Sequence, residues 1–192
     1  MPKNKTMRIT GGFLVRRRFK VPPAVDQGIV RPTPDRVREA IFSMLHFDLP
    51  GALVLDLFAG SGAHGFEAIS RGAKSVRFIE KDRGVAAIIK ENIESLDLLA
   101  SCTVELADAK EVVAEPRREL MNIIFLDPPY SLMLDEDFFS KLANHLADDG
   151  VVVFRCFKKM QPPIDNIFSI ARDRIYGGTR VFLLRKTSMS AH

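Results

Sequence analysis

Leu53-Val54-Leu55-Asp56-Leu57-Phe58-Ala59-Gly60-Ser61-Gly62-Ala63-His64-Gly65 runs from a short apolar stretch into glycines at 60, 62 and 65. A run of this kind, closing on a glycine turn and followed by a helical pattern, reads as a buried strand feeding a crossover helix. The same alternation continues downstream. Strands are expected at Leu53 to Leu57, Ser75 to Ile79, Thr103 to Leu106, Asn122 to Leu126 and Val151 to Phe154. Between the second and third, Val85, Ile88, Ile89 and Ile93 recur at helical spacing, as do Phe138, Leu142 and Leu146 before the fifth. Two last strands, near Phe168 to Ile170 and Val181 to Leu184, flank Tyr176-Gly177-Gly178. A link that short favours antiparallel pairing, because a parallel crossover needs about a dozen residues or more. The expected class is α/β, a Rossmann-like sheet with helices on both faces.

Upstream, Arg8-Ile9-Thr10-Gly11-Gly12, Phe13-Leu14-Val15 and Phe19-Lys20-Val21 read as short extended pieces broken by turns. Residues 1–30 are expected to form a small basic β-hairpin arm, residues 31–186 the main domain and 187–192 a frayed tail. Thr33 is expected to cap a helix with Pro34 at its first position. Val37, Ala40, Ile41, Met44 and Leu45 make its apolar stripe, leaving Arg36 and Arg38 off its centre to face a ligand.

A chain of 192 residues, 46% apolar and 27% charged, suits one domain with an appendage. No apolar run approaches the roughly 20 residues of a spanning helix, and no apolar core follows the basic start as in a secretory signal. A cytoplasmic protein with no membrane contact is expected. Cys102 and Cys156 have no ligand-spaced neighbours, so they read as reduced thiols and no metal is expected. The net charge of +4 is uneven: ten Lys or Arg against Asp26 and Asp35 fall within the first 38 residues. A basic arm on a mildly acidic body suits a polyanion, with Arg16, Arg17, Arg18, Arg31, Thr33 and Arg36 as candidate contacts. A solvated segment that binds nothing fits the composition equally well.

Gly60 to Gly65 is a GxGxxG pattern, weak evidence taken alone. Glu80 ends the second strand, where an acid can accept from ribose hydroxyls, and Lys81 follows it. To this point a dinucleotide fits as well as S-adenosylmethionine. Asp56 at the first strand tip shifts the balance, since a carboxylate there repels a pyrophosphate but welcomes a sulfonium or ammonium group. Asp108, followed by Ala109, offers an acceptor for an adenine amino group, although a helix cap would use the same residue. The cofactor set is therefore Asp56, Phe58, Ala59, Gly60, Ser61, Gly62, Glu80, Lys81, Asp108 and Ala109. His64 reads as a packing or surface residue.

Ile123-Ile124-Phe125-Leu126 then runs into Asp127-Pro128-Pro129-Tyr130. Two prolines remove two donors and fix two φ angles, so carbonyl oxygens are presented rigidly with nothing to pair them locally. An exocyclic amino group is a fitting donor. Bonded to the Asp127 carboxylate and the Pro128 carbonyl, it is stabilised as positive charge develops during methyl transfer. Tyr130 offers a face for stacking, and the base must lie outside a helix stack.

With these residues in place, the chain resembles the RsmD family of bacterial 16S rRNA (guanine-N2)-methyltransferases. The likeness runs from Arg8-Ile9-Thr10-Gly11-Gly12 to Tyr176-Gly177-Gly178-Thr179. It is most specific at Arg31-Pro32-Thr33-Pro34-Asp35-Arg36-Val37-Arg38-Glu39, Asp56 to Gly62 and Asp127 to Tyr130. It implies a seven-stranded class I methyltransferase fold, S-adenosylmethionine held by Gly60, Ser61, Gly62 and Glu80, and Asp108 beside its adenine. It also implies action on one guanine, guanine-966, of 16S rRNA in the assembling 30S subunit; a monomer is expected. Two departures stand out: His64 where an aliphatic residue is usual, and Arg155-Cys156-Phe157 where an acid is common. The second is expected to alter the wall of the base pocket, and neither is expected to touch the chemical motif.

Rivals are a DNA or RNA adenine-N6 methyltransferase, a protein glutamine methyltransferase, a nicotinamide-dependent oxidoreductase and a non-catalytic rRNA-binding assembly factor. The DNA enzyme would need a target-recognition region for which this chain has no room. The glutamine enzyme prefers Asn at position 127. The oxidoreductase leaves the Pro-Pro acceptor cluster unexplained.

Overall fold

A computed structural model describes residues 5–23, 34–116 and 119–187. Strands β1 (Thr6–Arg8) and β2 (Arg18–Lys20) form an antiparallel hairpin. Helix α1 (Asp35–Met44) follows, then β3 (Leu53–Asp56), α2 (Ala63–Ser70), β4 (Ser75–Glu80), α3 (Arg83–Ser95) and β5 (Cys102–Leu106). Helix α4 (Ala109–Ala114), β6 (Met121–Leu126), α5 (Glu136–Ala143), β7 (Leu146–Phe157), β8 (Phe168–Tyr176) and β9 (Thr179–Lys186) complete the chain.

The seven strands after the hairpin form one sheet in the order β5-β4-β3-β6-β7-β9-β8. The first five are mutually parallel, whereas β9 runs antiparallel between β7 and β8. Alternation along the strands builds two cores. Val54, Val76, Phe78, Ile123 and Phe125 face one side, with residues of α1, α2, α3 and the hairpin. Leu55, Ile79, Ile124 and Leu126 face the other, with α4 and α5. Burial on both faces is why the central strands read as unbroken apolar runs. The expected α/β class and antiparallel ending are therefore present. Among the described residues, no helix is long and apolar enough to cross a membrane.

Several local expectations are corrected. Phe13-Leu14-Val15 is a turn rather than a strand, because Leu14 drops into the core and Phe13 N–H donates to the Ser70 carbonyl at 2.8 Å. Pro34 caps α1 instead of opening it, and Thr33 lies outside the described residues. Leu146 starts β7, opposite Met121, rather than extending the stripe of α5. Strand β8 reaches Tyr176 because a sheet edge tolerates the charged run Arg172-Asp173-Arg174. Arg38 does not face a ligand: it is fully buried, donating to the Arg8 carbonyl and Asp35, with Nε 3.4 Å from Glu67.

Glu67, itself 1% exposed, joins the hairpin to the domain. Its carboxylate accepts from Thr10 N–H at 2.9 Å, Thr10 Oγ1 at 2.7 Å and Arg71 Nε at 2.8 Å. Removing one partner of such a buried network strands charge on the others. Glu67→Leu should lower unfolding stability by about 3–5 kcal/mol, measured by urea denaturation.

Candidate active site

Parallel register brings the ends of β3, β4 and β6 to one edge, where the chain leaves β3 toward β4 on one side and β6 lies on the other. A crevice at such a switch of strand order is the usual ligand site of an open α/β sheet. Gly60 and Gly62 turn there with φ of 52° and 77°. A Cβ on Gly62 would lie 2.6 Å from the Phe66 ring, so the loop follows this path only with glycine. Glu80 holds it: Oε2 accepts from Gly60 N–H and Oε1 from Asp82 N–H, both at 2.9 Å. A carboxylate has about four acceptor sites, which leaves capacity for hydroxyls. Phe58 is half-buried, Ala59 and Ser61 are buried and Lys81 is exposed.

Other residues of the expected cofactor set have different settings. Asp56 was expected to meet a cation at an open strand tip, but it is fully buried and its Oδ2 accepts from Gly65 N–H at 3.2 Å. Burial, then the charge of Asp127, pushes its pKa up to about 8, with Glu80 adding to the rise and the Gly65 amide opposing it. Asp108 Oδ1 caps α4 through Lys110 N–H at 2.9 Å, so the helix-cap alternative is realised. Ala109 is 3% exposed, its side chain turned into the core.

At the end of β6, Asp127 Oδ1 accepts from Arg155 Nε at 2.6 Å. Its Oδ2 lies 3.9 Å from His64 Nδ1, too far for a hydrogen bond. Burial raises the Asp127 pKa above the usual carboxylate range, and Arg155 opposes that rise. His64 stacks on Phe125, with ring centroids 5.0 Å apart, and burial with the charges of Arg155 and Arg38 pushes its pKa down to about 3. It is therefore a neutral packing residue. Pro129 does not present a free carbonyl, because Leu132 N–H occupies it at 2.8 Å; among the described residues, the Pro128 carbonyl accepts no hydrogen bond. Tyr130 is 39% exposed, its hydroxyl 3.0 Å from Thr179 Oγ1 and its ring edge-on to Phe157. A cavity of about 170 Å³ opens here against Pro128, Tyr130, Leu134, Phe154, Arg155 and Met160. A larger one, about 530 Å³, lies at the opposite edge by Ser75, Cys102 and Met121, away from these acids.

The family described as "Conserved hypothetical protein 95" matches residues 7–185. Ribosomal RNA small subunit methyltransferase D of Escherichia coli K12 is 34% identical over 89% of this chain and 85% of its own. The solved structure of the Escherichia coli protein yhhF is 32% identical, with TM-score 0.83 over 96% of this chain and all of that one. This chain belongs to the RsmD family. It is a methyltransferase with the class I fold. That fold alone extends to the tRNA m1G37 methyltransferase of M. jannaschii, 16% identical, TM-score 0.64, over 96% of this chain and 57% of that one.

Set within the RsmD family, the two departures matter more than the sequence suggested, since Arg155 bonds Asp127 directly and His64 packs beside it. Arg155 lies toward the end of β7 and His64 in the first turn of α2, both at the carboxyl ends of the parallel strands, the signal that could have marked them. Exposed Phe157, Lys158 and Lys159 follow Arg155 at the same edge; of these, only Phe157 stands out in the sequence. Arg16, Arg17 and Arg18 are exposed but are not brought to the motif. Their turn is held at the far ends of α2 and α3, through Ser70 and through Arg17 donating to the Ser95 carbonyl at 3.0 Å. At 1.5 Å per residue, α3 puts Arg17 roughly 20 Å from the crevice edge. Arg36 is exposed on α1, and Arg31 and Thr33 lie outside the described residues. Both cysteines are buried and free, and no cluster of His, Cys, Asp or Glu suited to a metal occurs among the described residues.

Because the folded pKa of Asp56 exceeds its unfolded value of about 4, the folded state holds the extra proton between about pH 4 and 8. Its contribution to stability therefore falls as pH rises through that window. Asp56→Asn keeps an acceptor for Gly65 N–H and removes the titration. The variant should gain stability relative to wild type between about pH 5 and pH 8, read from urea midpoints.

Proposed function

We propose that this chain transfers a methyl group from S-adenosylmethionine to the exocyclic N2 of a guanine in 16S rRNA during 30S assembly, acting as a cytoplasmic monomer. The observation that carries this reading is an acceptor pair, the Asp127 carboxylate and the unoccupied Pro128 carbonyl, at the strand edge that also holds the glycine loop. The RNA substrate is supported by the names of the Escherichia coli and Haemophilus influenzae relatives, both ribosomal RNA small subunit methyltransferase D.

The residues fit the cofactor. The left-handed glycines keep side chains off the loop, Glu80 retains acceptor capacity for a ribose diol, and Asp108 stands half-buried at the neighbouring strand end. Gly60, Ser61, Gly62 and Glu80 would hold it, with Phe58 and Lys81 at the margin. When bound, S-adenosylmethionine supplies an electrophilic methyl on sulfur. Asp127 and the Pro128 carbonyl accept the two amino hydrogens and orient the nitrogen lone pair toward that methyl. As the new N–C bond forms and the C–S bond breaks, Asp127 stabilises the charge growing on nitrogen; the surplus proton then leaves to solvent. Tyr130, tethered to Thr179 and flanked by Phe157, provides a face for the splayed base. Arg16, Arg17 and Arg18 meet RNA phosphates away from the reacting base, and Arg31, Thr33 and Arg36 are further phosphate contacts.

Methyl-labelled S-adenosylmethionine should label guanine N2 in 30S particles or 16S rRNA. Label on DNA adenine, on protein, or nowhere would refute the assignment. Asp127→Ala should reduce transfer at least a hundredfold with cofactor affinity within a few fold; equal loss of both would make Asp127 structural. Replacing Arg16, Arg17 and Arg18 together with Gln should weaken RNA binding and reduce the salt slope by about two to three; an unchanged slope would remove the hairpin from the interface.

A further inference from the structure

Arg155 is part of the site in a way the family reading does not supply. Leu126 pairs with Phe154 in parallel register, so Asp127 and Arg155 are the next residues on two neighbouring strands. Their side chains are 12% and 9% exposed, and they meet at 2.6 Å. At that burial the geometry fixes the orientation of both groups, because neither can swing out without losing its partner to a poorly solvated space. Oδ1 is thereby occupied. Oδ2 makes no hydrogen bond, yet it is not among the polar atoms sealed from solvent.

The groups around Asp127 leave Arg155 alone in offsetting its charge. Asp56 faces it from β3 as a second acid, His64 from α2 is held neutral, and Tyr130 lies on its own loop. Glu80 on β4 acts on Asp56, and Arg38 on α1 acts on His64, both at one remove.

We propose that Arg155 is a positioning residue for methyl transfer: its Nε holds Oδ1 of Asp127, so that Oδ2 is presented to the amino group of the base. This rests on the methyl-transfer reading above. The arrangement also trades one effect against another. Arg155 opposes the rise that burial imposes on the Asp127 pKa, but shares the negative charge that would otherwise face the developing ammonium.

The test combines carboxyl carbon-13 NMR titration of Asp127, assigned with Asp127→Asn, and kcat against pH on 30S particles. Wild type, Arg155→Met and Arg155→Lys are compared, with folding checked by thermal melts. In Arg155→Met the Asp127 midpoint should rise by about one pH unit or more. The acid limb of kcat should move with it, while KM for S-adenosylmethionine stays within about twofold of wild type. Arg155→Lys should return the limb to its wild-type position while kcat remains several-fold low, because an ammonium lacks the planar fork that orients Oδ1. If Arg155→Met does not fold, the Arg155→Lys split between limb and kcat decides. An active wild type with an unmoved limb in Arg155→Met, or full kcat in Arg155→Lys, overturns the role of Arg155 alone. A wild type that methylates no RNA overturns the function itself, and this role with it.

Discussion

Burying several carboxylates along one strand edge is the constraint on which the rest of this site depends. Parallel register leaves no choice about their proximity, and like charges in a poorly solvated space repel. The fold meets the difficulty differently for each acid. Asp56 gives up its charge near neutral pH and serves as a buried acceptor for Gly65. Glu80 keeps contact with solvent and is stabilised by two backbone amides. Asp127 is matched by a cation across the strand pair. On the proposed reading, these solutions give the acids separate roles, in the loop, at a ribose-facing position and at the reaction centre.

The same economy shapes the flank of the domain. Helices α2 and α3 start at the crevice and end at the opposite edge, where their last carbonyls need partners. The N-terminal hairpin supplies two of them, the donors to the Ser70 and Ser95 carbonyls. Glu67 fastens its other side from within the core. A basic hairpin that looks from composition like a free arm is thus a packed part of the structure, with Ile9, Leu14 and Phe19 in the same core as the sheet.

Features set by local chemistry were legible in the sequence. The sheet strands and the glycine turn follow from apolar runs and φ preference, and the Pro128 acceptor follows from proline having no N–H. Features decided by a partner far along the chain were not. Arg36 and Arg38 look alike on a helical pattern, yet one is exposed and the other buried, because only Arg38 meets Glu67 and the Arg8 carbonyl. Asp108 sits one residue before α4 and is used as its cap. Arg155 reads as a departure from a family pattern; that it neutralises Asp127, 28 positions earlier, depends on β6 and β7 lying side by side.

On the proposed reading, the distance between hairpin and crevice is itself informative. A small-molecule enzyme gains nothing from cations roughly 20 Å from its reacting centre, whereas a folded RNA reaches both at once. Phosphate contacts at the hairpin would fix register and supply affinity, while Asp127, the Pro128 carbonyl and Tyr130 would recognise one splayed base. Exposed Lys158 and Lys159 lie beside Phe157, close to the crevice, where they can meet the phosphates flanking that base. Dividing affinity from chemistry in this way leaves the buried edge free to solve its charge problem, because no phosphate has to approach Asp56 or Asp127 for the RNA to bind.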